Sequence, residues 1–182
     1  MKSLQGQLLV ASPQLLDPNF LRSVVLMVQH DEGGALGLIL NRPLETTLKE
    51  AWEQVSELPC EVEQPLHQGG PCDGPLMVLH TDSAMSDMEV LPGLFFSADK
   101  EAVEELVVHM PGSMKFFVGY AGWGPGQLEN ELDEGGWLTT PATAELVFEG
   151  NDEQWAVLVR QIMDSAATWL RAKVIPDDPS VN

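Results

Sequence analysis

The sequence predicts an α+β fold, a single domain with a mixed or mainly antiparallel sheet that curls around its own core or is covered by helices. Three observations predict this class. Apolar runs occur in pairs joined by short loops, helical stripes interrupt those pairs without alternating regularly with them, and the early runs are apolar on both faces. The chain has 182 residues, the length of roughly one domain.

The first predicted strands lie near the N terminus. A short apolar run covers 6–12, and two longer runs cover 23–28 and 35–40. The loop over 31–34, with the sequence DEGG, contains residues that tolerate the positive φ angles of a hairpin turn. Because neither longer run alternates strictly, we expect both faces of this hairpin to be covered.

A helix is predicted after the hairpin. Thr47 and Glu50 have the spacing of a capping box, in which each side chain bonds the backbone of the other residue. Apolar residues then recur at helical spacing up to Leu58. Pro59 ends the helix, because proline cannot continue the hydrogen-bond ladder.

Candidate capping residues predict two further helices and the start of another. Ser97 is a candidate cap for a second helix, which Pro111 ends, and Asn151 is a candidate cap for the last long helix. Thr140 followed by Pro141 predicts another helix start, because proline is favoured at the first helical position.

The remaining predicted strands lie at 75–80, 93–96 and 115–120, where apolar residues dominate. Acidic side chains then alternate from Glu129 to Asp133 before a glycine pair. Their spacing does not match a calcium-binding loop, so we expect an exposed acidic turn there.

Charge is the dominant property of the composition, with 28 acidic and 9 basic residues and a net charge of −19. This argues against direct nucleic-acid binding, because phosphate contacts need a surface rich in Lys and Arg, and against binding to anionic membranes. No apolar run reaches the roughly 18 residues of a spanning helix, and no signal peptide is recognisable. We therefore expect a cytoplasmic protein whose two cysteines, Cys60 and Cys72, stay reduced.

The basic residues are also unevenly spread along the chain. None lies between Lys49 and Lys100, where ten acidic residues lie, and none lies between Lys115 and Arg160, where eight more lie. Such stretches are usually solvated faces, and the alternative is an electrostatic docking surface for a basic partner.

No cofactor or metal site is predicted. Cys60, His67, Cys72 and His80 lie within 21 residues but lack the close pairing of zinc ligands. The later glycines match neither a dinucleotide-binding nor a phosphate-binding loop. His30, at the end of a buried-looking strand, is the one histidine whose context indicates a placed imidazole, with a structural or a catalytic role.

Several short motifs keep a characteristic order and spacing. They are LDPNF at 16–20, His30 followed by GALGLILNRP at 34–43, GGP at 69–71, GYAGWGPGQLE at 119–129 with Glu131, and WL at 137–138. Together they resemble the bacterial AlgH/YqgE family, from near the N terminus to Trp137 and, in length and final helix, to about residue 172. Cys72 departs from the family pattern, in which an aliphatic residue commonly follows GGP.

The resemblance implies one compact α+β domain over 1–175 with a curled, barrel-like sheet flanked by helices. From its composition we expect the tail over 176–182 to be frayed. The family has no established biochemical activity. One branch is named for an effect on alginate-gene regulation, which implies an indirect role in transcriptional regulation without a DNA-binding motif.

Two functional hypotheses remain open. The preferred one is a non-enzymatic binding or regulatory domain whose partner is a protein or a small ligand. The alternative is a hydrolase in which His30 is the base and Arg42 stabilises an anion. The binding surface would comprise Asn41, Arg42, Pro43, Gly69, Gly70, Pro71, Gly122, Trp123, Gln127 and Glu129.

Within this surface two residues carry most of the chemistry. Arg42 is its sole basic residue and has the planar geometry to hold a carboxylate or a phosphate. Trp123 either covers the core or contributes to recognition. Both hypotheses require that the fold bring these remote segments together.

Overall fold

A computed structural model describes residues 2–110, 112–151 and 153–174, so the predicted tail over 176–182 lies outside the described residues. The strands are β1 (Gln7–Ala11), β2 (Val24–Asp31), β3 (Gly34–Ile39), β4 (Pro43–Thr47), β5 (Pro65–Gln68), β6 (Cys72–His80), β7 (Met88–Leu91), β8 (Leu94–Ser97), β9 (Met114–Trp123) and β10 (Trp137–Pro141). The helices are α1 (Leu48–Val55), α2 (Lys100–His109), α3 (Gln127–Asp133), α4 (Ala144–Phe148) and α5 (Gln154–Val174).

The strands form one sheet with the order β10-β1-β2-β3-β9-β6-β8-β7. All neighbours in this order pair antiparallel. The β4–β5 pair joins it from the side, because β5 runs parallel to β9 with His67 opposite Phe117. The predicted α+β class with a mainly antiparallel sheet is confirmed.

The sheet curls so that its edge strand β7 comes close to the chain just before β1. The side chain of Gln5, just before β1, donates from Nε2 to the carbonyl oxygen of Glu89 in β7 at 3.1 Å. Within the described residues no strand ladder joins β7 to β10, so the sheet is curled but open.

The curl divides the apolar core into three clusters. The first fills the inside of the curl under α4 and α5, the second lies between α1, α2 and the outer face of β6 and β9, and the third covers the outer face of β1–β3 under α3. Every residue from Val24 to Val28 is at most 1 % exposed, and Leu38 to Leu40 are fully buried, whereas Ala35 and Leu36 near the turn are half-buried. The prediction that both faces of the first hairpin are covered is confirmed away from its turn. This burial explains the missing alternation.

Four strands and one helix were not predicted from the sequence. Strands β4, β5, β7 and β10 have four or five residues each, and β4 and β5 begin with proline. Proline at the first residue of a strand is compatible with pairing, because its missing N–H is not needed there. The expected acidic turn is wrong, since Glu129 and Asp133 lie in helix α3.

The predicted caps are partly confirmed. Thr47 and Glu50 form the capping box of α1, although that helix ends at Val55 rather than near Pro59. Asn151 accepts a hydrogen bond from the N–H of Glu153, just before α5.

Two predicted helix starts are wrong. Ser97 belongs to β8 and donates to the carbonyl oxygen of Met85, and Asp99 caps α2 instead. Thr140 and Pro141 lie in β10, and α4 begins after Thr143. In both places the sheet extends past the residue that has good capping chemistry, because pairing with a neighbouring strand outweighs a local preference.

None of the helices in the described ranges has both the length and the apolar composition needed to cross a bilayer.

A lysine lies inside the curl. Lys115 is 5 % exposed, and its Nζ donates to the carbonyl oxygen of Val147 in α4 at 3.1 Å. Burial lowers the pKa of Lys115 to about 8, because the charged ammonium loses hydration.

We predict that the stability of Lys115→Met relative to wild type depends on pH. Between pH 8 and 10.5 the unfolded chain keeps the lysine proton and the folded chain does not, so wild-type stability rises with pH there. Lys115→Met lacks this titration, so its free energy of unfolding does not rise in this way. The free energy of unfolding of the variant minus that of wild type therefore falls by about 3 kcal/mol between pH 8 and 10.5. Urea unfolding at several pH values measures this. Leu79→Met, which changes no titratable group, should show a flat difference, and a flat difference for Lys115→Met would contradict the burial cost.

Candidate functional site

The predicted binding surface is built around β3 and β9. These strands pair at one end, where Ala35 lies opposite Trp123 and Gly37 opposite Ala121. Farther along, the loop over 69–71 takes the place of β9 as the partner of β3. We call the junction formed by 35–43, 67–71 and 117–123 the seam.

Backbone hydrogen bonds hold the inserted loop on both sides. The N–H of Ile39 donates to the carbonyl oxygen of Gly69 at 2.8 Å, and the N–H of Gly69 donates to that of Val118 at 2.9 Å. The N–H of Gln68 donates to the carbonyl oxygen of Arg42 at 2.9 Å. The seam therefore connects segments that are far apart in the chain, such as those of Ala35 and Trp123.

Two glycines of the GGP motif are required by close backbone contact. A Cβ at Gly70 would lie 2.1 Å from the carbonyl carbon of Tyr120, and a Cβ at Gly69 would lie 2.3 Å from the carbonyl oxygen of Gly119. Neither contact is possible for a residue with a side chain. Both glycines are buried, so their role in the predicted surface is to shape it.

Asn41 positions the chain at one end of the seam. Its Oδ1 accepts from the N–H of Val24 at 2.9 Å, and its Nδ2 donates to the carbonyl oxygen of Arg22 at 2.9 Å. Arg22 has a φ of 56°, which is unfavourable for a residue with a side chain. The two bonds of Asn41 hold the backbone on either side of Ser23 and so stabilise this strained loop.

Arg42 lies beside Asn41 and is half-buried. Its Nη2 donates to the carbonyl oxygen of Leu21 at 3.4 Å. Burial lowers the pKa of Arg42, and the nearby charge of Asp17 opposes this shift. Pro43, the next residue, is exposed and pairs with His67 across β4 and β5.

At the other end of the seam, Trp123 is buried and only 4 % exposed. Glu131 accepts from the indole N–H of Trp123 at 2.9 Å and from that of Trp137 at 2.8 Å, both at Oε2. Phe20 packs against both indoles, with ring centroids 5.8 and 5.4 Å away. Two roles were predicted for Trp123, covering the core or contributing to recognition. This geometry supports the first.

Gln127 extends this network to the surface. Its Nε2 donates to Oε1 of Glu131 at 3.0 Å, and its Oε1 accepts from the N–H of Gly124 at 3.1 Å. Gln127 is exposed, as is Gly122. The glycine-rich loop is thus tied to helix α3 by one side-chain amide.

Both ring nitrogens of His30 are engaged. Nδ1 accepts from the N–H of Leu4 at 3.0 Å, and Nε2 lies 2.9 Å from Oε1 of Glu129. Since Nδ1 needs its lone pair for Leu4, the ring proton lies on Nε2 and is donated to the carboxylate. The pKa of Glu129 is lowered mainly by its own backbone N–H and further by His30.

His30 and Arg42 lie at opposite ends of the β2–β3 hairpin. His30 pairs with Ala35, and Arg42 follows the far end of β3. Seven residues of extended chain separate Ala35 from Arg42, a distance on the order of 20 Å. This separation does not fit a mechanism in which one substrate contacts both side chains.

Two shallow concavities lie along the seam. One, of about 370 Å³, is lined by residues that include Gly70, Pro71 and Asp73. The other, of about 320 Å³, is lined by residues that include Asp31 and Trp123. In the described part of the chain, no three His, Cys, Asp or Glu side chains are arranged to hold a metal ion.

Comparison with known proteins identifies the family. The model of the AlgH-like family (DUF179) matches residues 8–167, most of the chain. The chain belongs to the AlgH-like family.

Relatives and solved structures agree with this assignment. A UPF0301 protein of Chlorobaculum tepidum is 41 % identical over 97 % of this chain and 95 % of its own length, and one of Myxococcus xanthus is 44 % identical over 81 % and 84 %. The solution structure of AlgH from Pseudomonas aeruginosa matches with a TM-score of 0.76 and 29 % identity, covering 97 % of this chain and 100 % of that one. A crystal structure from Corynebacterium diphtheriae matches with a TM-score of 0.71 and 26 % identity, covering 88 % of each chain.

In this AlgH-like protein most of the predicted surface residues lie along one seam, but several do so through backbone contacts or buried side chains. Within the seam Pro43, Pro71 and Gly122 are exposed, and Asn41 and Arg42 are half-buried. Beside it, in α3, Gln127 is exposed and Glu129 is half-buried. Sequence reasoning missed the role of Glu131. Its position one helical turn after Gln127 was the available signal, once the segment is known to be helical.

We predict that Glu131→Ala lowers the free energy of unfolding by about 2 kcal/mol, because two indole N–H groups lose their acceptor. Denaturant unfolding measures the loss. Asp133→Ala, an exposed change in the same helix, should stay within about 0.5 kcal/mol of wild type. Equal effects from the two substitutions would contradict the role of the Glu131 carboxylate.

A second prediction concerns the His30 ring. A long-range ¹H–¹⁵N spectrum of histidine-labelled protein at pH 7.5 should show the Nε2–H tautomer, because Leu4 occupies Nδ1. Glu129→Gln should keep this tautomer, since the amide oxygen still accepts. A spectrum with the proton on Nδ1 would show that the Leu4 contact does not form.

Proposed function

We propose that this AlgH-like chain is a non-enzymatic binding protein and that the exposed part of the seam contacts a protein partner. The observation that carries the proposal is the continuity of the seam. Segments around Arg42, Pro71 and Gly122 form one strip on the order of 20 Å long, although they are far apart in the chain.

The shape of the strip supports a protein rather than a small molecule. Ligand pockets usually enclose most of a ligand in an apolar cavity of about 300–1,000 Å³. The concavities here, about 370 and 320 Å³, are at the lower limit and are lined partly by backbone and acidic groups. A protein partner can cover such a strip through many shallow contacts.

The hydrolase alternative receives less support. The lone pair that a general base needs on His30 is occupied by the N–H of Leu4. Arg42, the proposed anion-binding group, lies at the other end of the hairpin.

A regulatory role and a cytoplasmic location belong to the same proposal. The net charge of −19 opposes direct contact with DNA, so any effect on transcription would pass through the protein partner. The two free cysteines, Cys60 and Cys72, are in keeping with a reducing compartment.

We expect Arg42→Ala to weaken partner binding about tenfold, because the guanidinium is the one basic group that the strip offers to a carboxylate. Partners cross-linked to wild-type protein in cells are identified by mass spectrometry, and the affinity of the main one is measured by calorimetry. Arg160→Ala removes an exposed base from α5 and is the matched control. Unchanged affinity of a folded Arg42→Ala protein would contradict the proposed surface.

A further inference from the structure

An apolar groove lies between α1 and α2 and shares no residue with the seam. It has a volume of about 260 Å³. Its apolar lining comes from both helices and from strand β6, with Trp52 and Val55 on one side, Ala98 and Val103 on the other, and Pro75 and Leu76 between them. Lys100 and Glu104 are the charged residues that border it.

The apolar surface continues beyond the groove. Val55 is 69 % exposed, and Leu58, whose carbonyl oxygen accepts from the indole N–H of Trp52, is 43 % exposed. Val108, one helical turn after Glu104 in α2, is 47 % exposed. Val55 and Val108 lie on the two helices, and Leu58 lies in the loop after α1. Exposed large apolar side chains next to an apolar groove are typical of a binding surface.

The surroundings of the groove are strongly acidic. The segments 48–57 and 99–109 contain seven acidic residues and two lysines. Both lysines already lie near carboxylates, Lys49 with Glu61 at 3.2 Å and Lys100 with Glu104 at 3.8 Å. The groove therefore presents an apolar centre inside a negative field, which favours a basic partner.

This charge disfavours a second copy of the chain as the occupant, because the copy brings the same net charge of −19. An extended peptide is also disfavoured. The strand at the bottom of the groove, β6, pairs with β9 at Leu76 and with β8 only from Val78 to His80. Beside Leu76, Pro75 has no N–H to donate to an added strand.

We propose that the α1–α2 groove binds an amphipathic basic helix of a partner protein. Its apolar side chains, spaced at i, i+3, i+4 and i+7, pack against Trp52, Val55 and Val103. Lysine and arginine residues on its flanks face the acidic side chains of α1 and α2. This site is independent of the seam and does not rest on the function proposed above.

The test uses the full-length protein and a labelled 18-residue helical peptide with leucine at those positions and lysine elsewhere. A second peptide has the same composition with its leucines scrambled around the helix. Fluorescence anisotropy gives the affinities at low and high salt, and ¹H–¹⁵N spectra locate the contact. We expect the patterned peptide to bind at least about tenfold more tightly than the scrambled one and to shift the Trp52 indole signal.

Val55→Asp places a charge in the groove at an exposed position and should weaken binding of the patterned peptide about tenfold. Val157→Asp, at a valine of α5 that is 43 % exposed, is the matched control and should leave binding unchanged. Arg42→Ala should also leave it unchanged, so failure at the seam and failure at the groove are distinguishable.

Three results would overturn the proposal. Equal binding of the two peptides would mean general attraction to the acidic surface. Binding that survives Val55→Asp would place the contact elsewhere. Sedimentation showing a dimer that Val55→Asp abolishes would mean that a second copy occupies the groove.

Discussion

The contact between the loop at 69–71 and strand β9 is the constraint on which the rest of the seam depends. Gly69 and Gly70 lie directly against the backbone of Gly119 and Tyr120, at distances that leave no room for a Cβ. This approach lets the loop replace β9 as the partner of β3 and lets β5 run parallel to β9. Arg42 and Pro43 are positioned in turn, because they bond to the residues just before the loop.

The hydrogen bonds around Glu131 show how buried polar groups are satisfied where helix α3 packs on the sheet. Two buried indoles need acceptors for their N–H groups, and one carboxylate serves both while Gln127 binds its other oxygen. Satisfying buried donors with a single charged acceptor orders the aromatic rings and the glycine-rich loop together. Many residues of the family motifs therefore stabilise the fold.

The excess of acidic residues is a second general property of this protein. The chain has 9 basic against 28 acidic residues, and three of the basic ones are already engaged: Lys115 is buried against Val147, and both lysines near the groove lie near carboxylates. The net charge of −19 attracts basic groups and opposes contact with nucleic acid. For the partner proposed for the α1–α2 groove, this charge would steer the encounter and the apolar side chains would supply the specific contact.

Local patterns in the sequence were sufficient for the class of fold, the β2–β3 hairpin, the Thr47–Glu50 capping box and the charge, because each depends on neighbouring residues or on composition. That the fold brings the motif segments together was a condition of both functional hypotheses and could not be read from the sequence alone. Only the tertiary structure decided that Trp123 is buried, that Glu131 joins two indoles, that β5 pairs with β9, and that His30 and Arg42 are far apart. These features arise from contacts between segments distant in the chain. Strand register and burial select them, and no periodicity within a single segment encodes either.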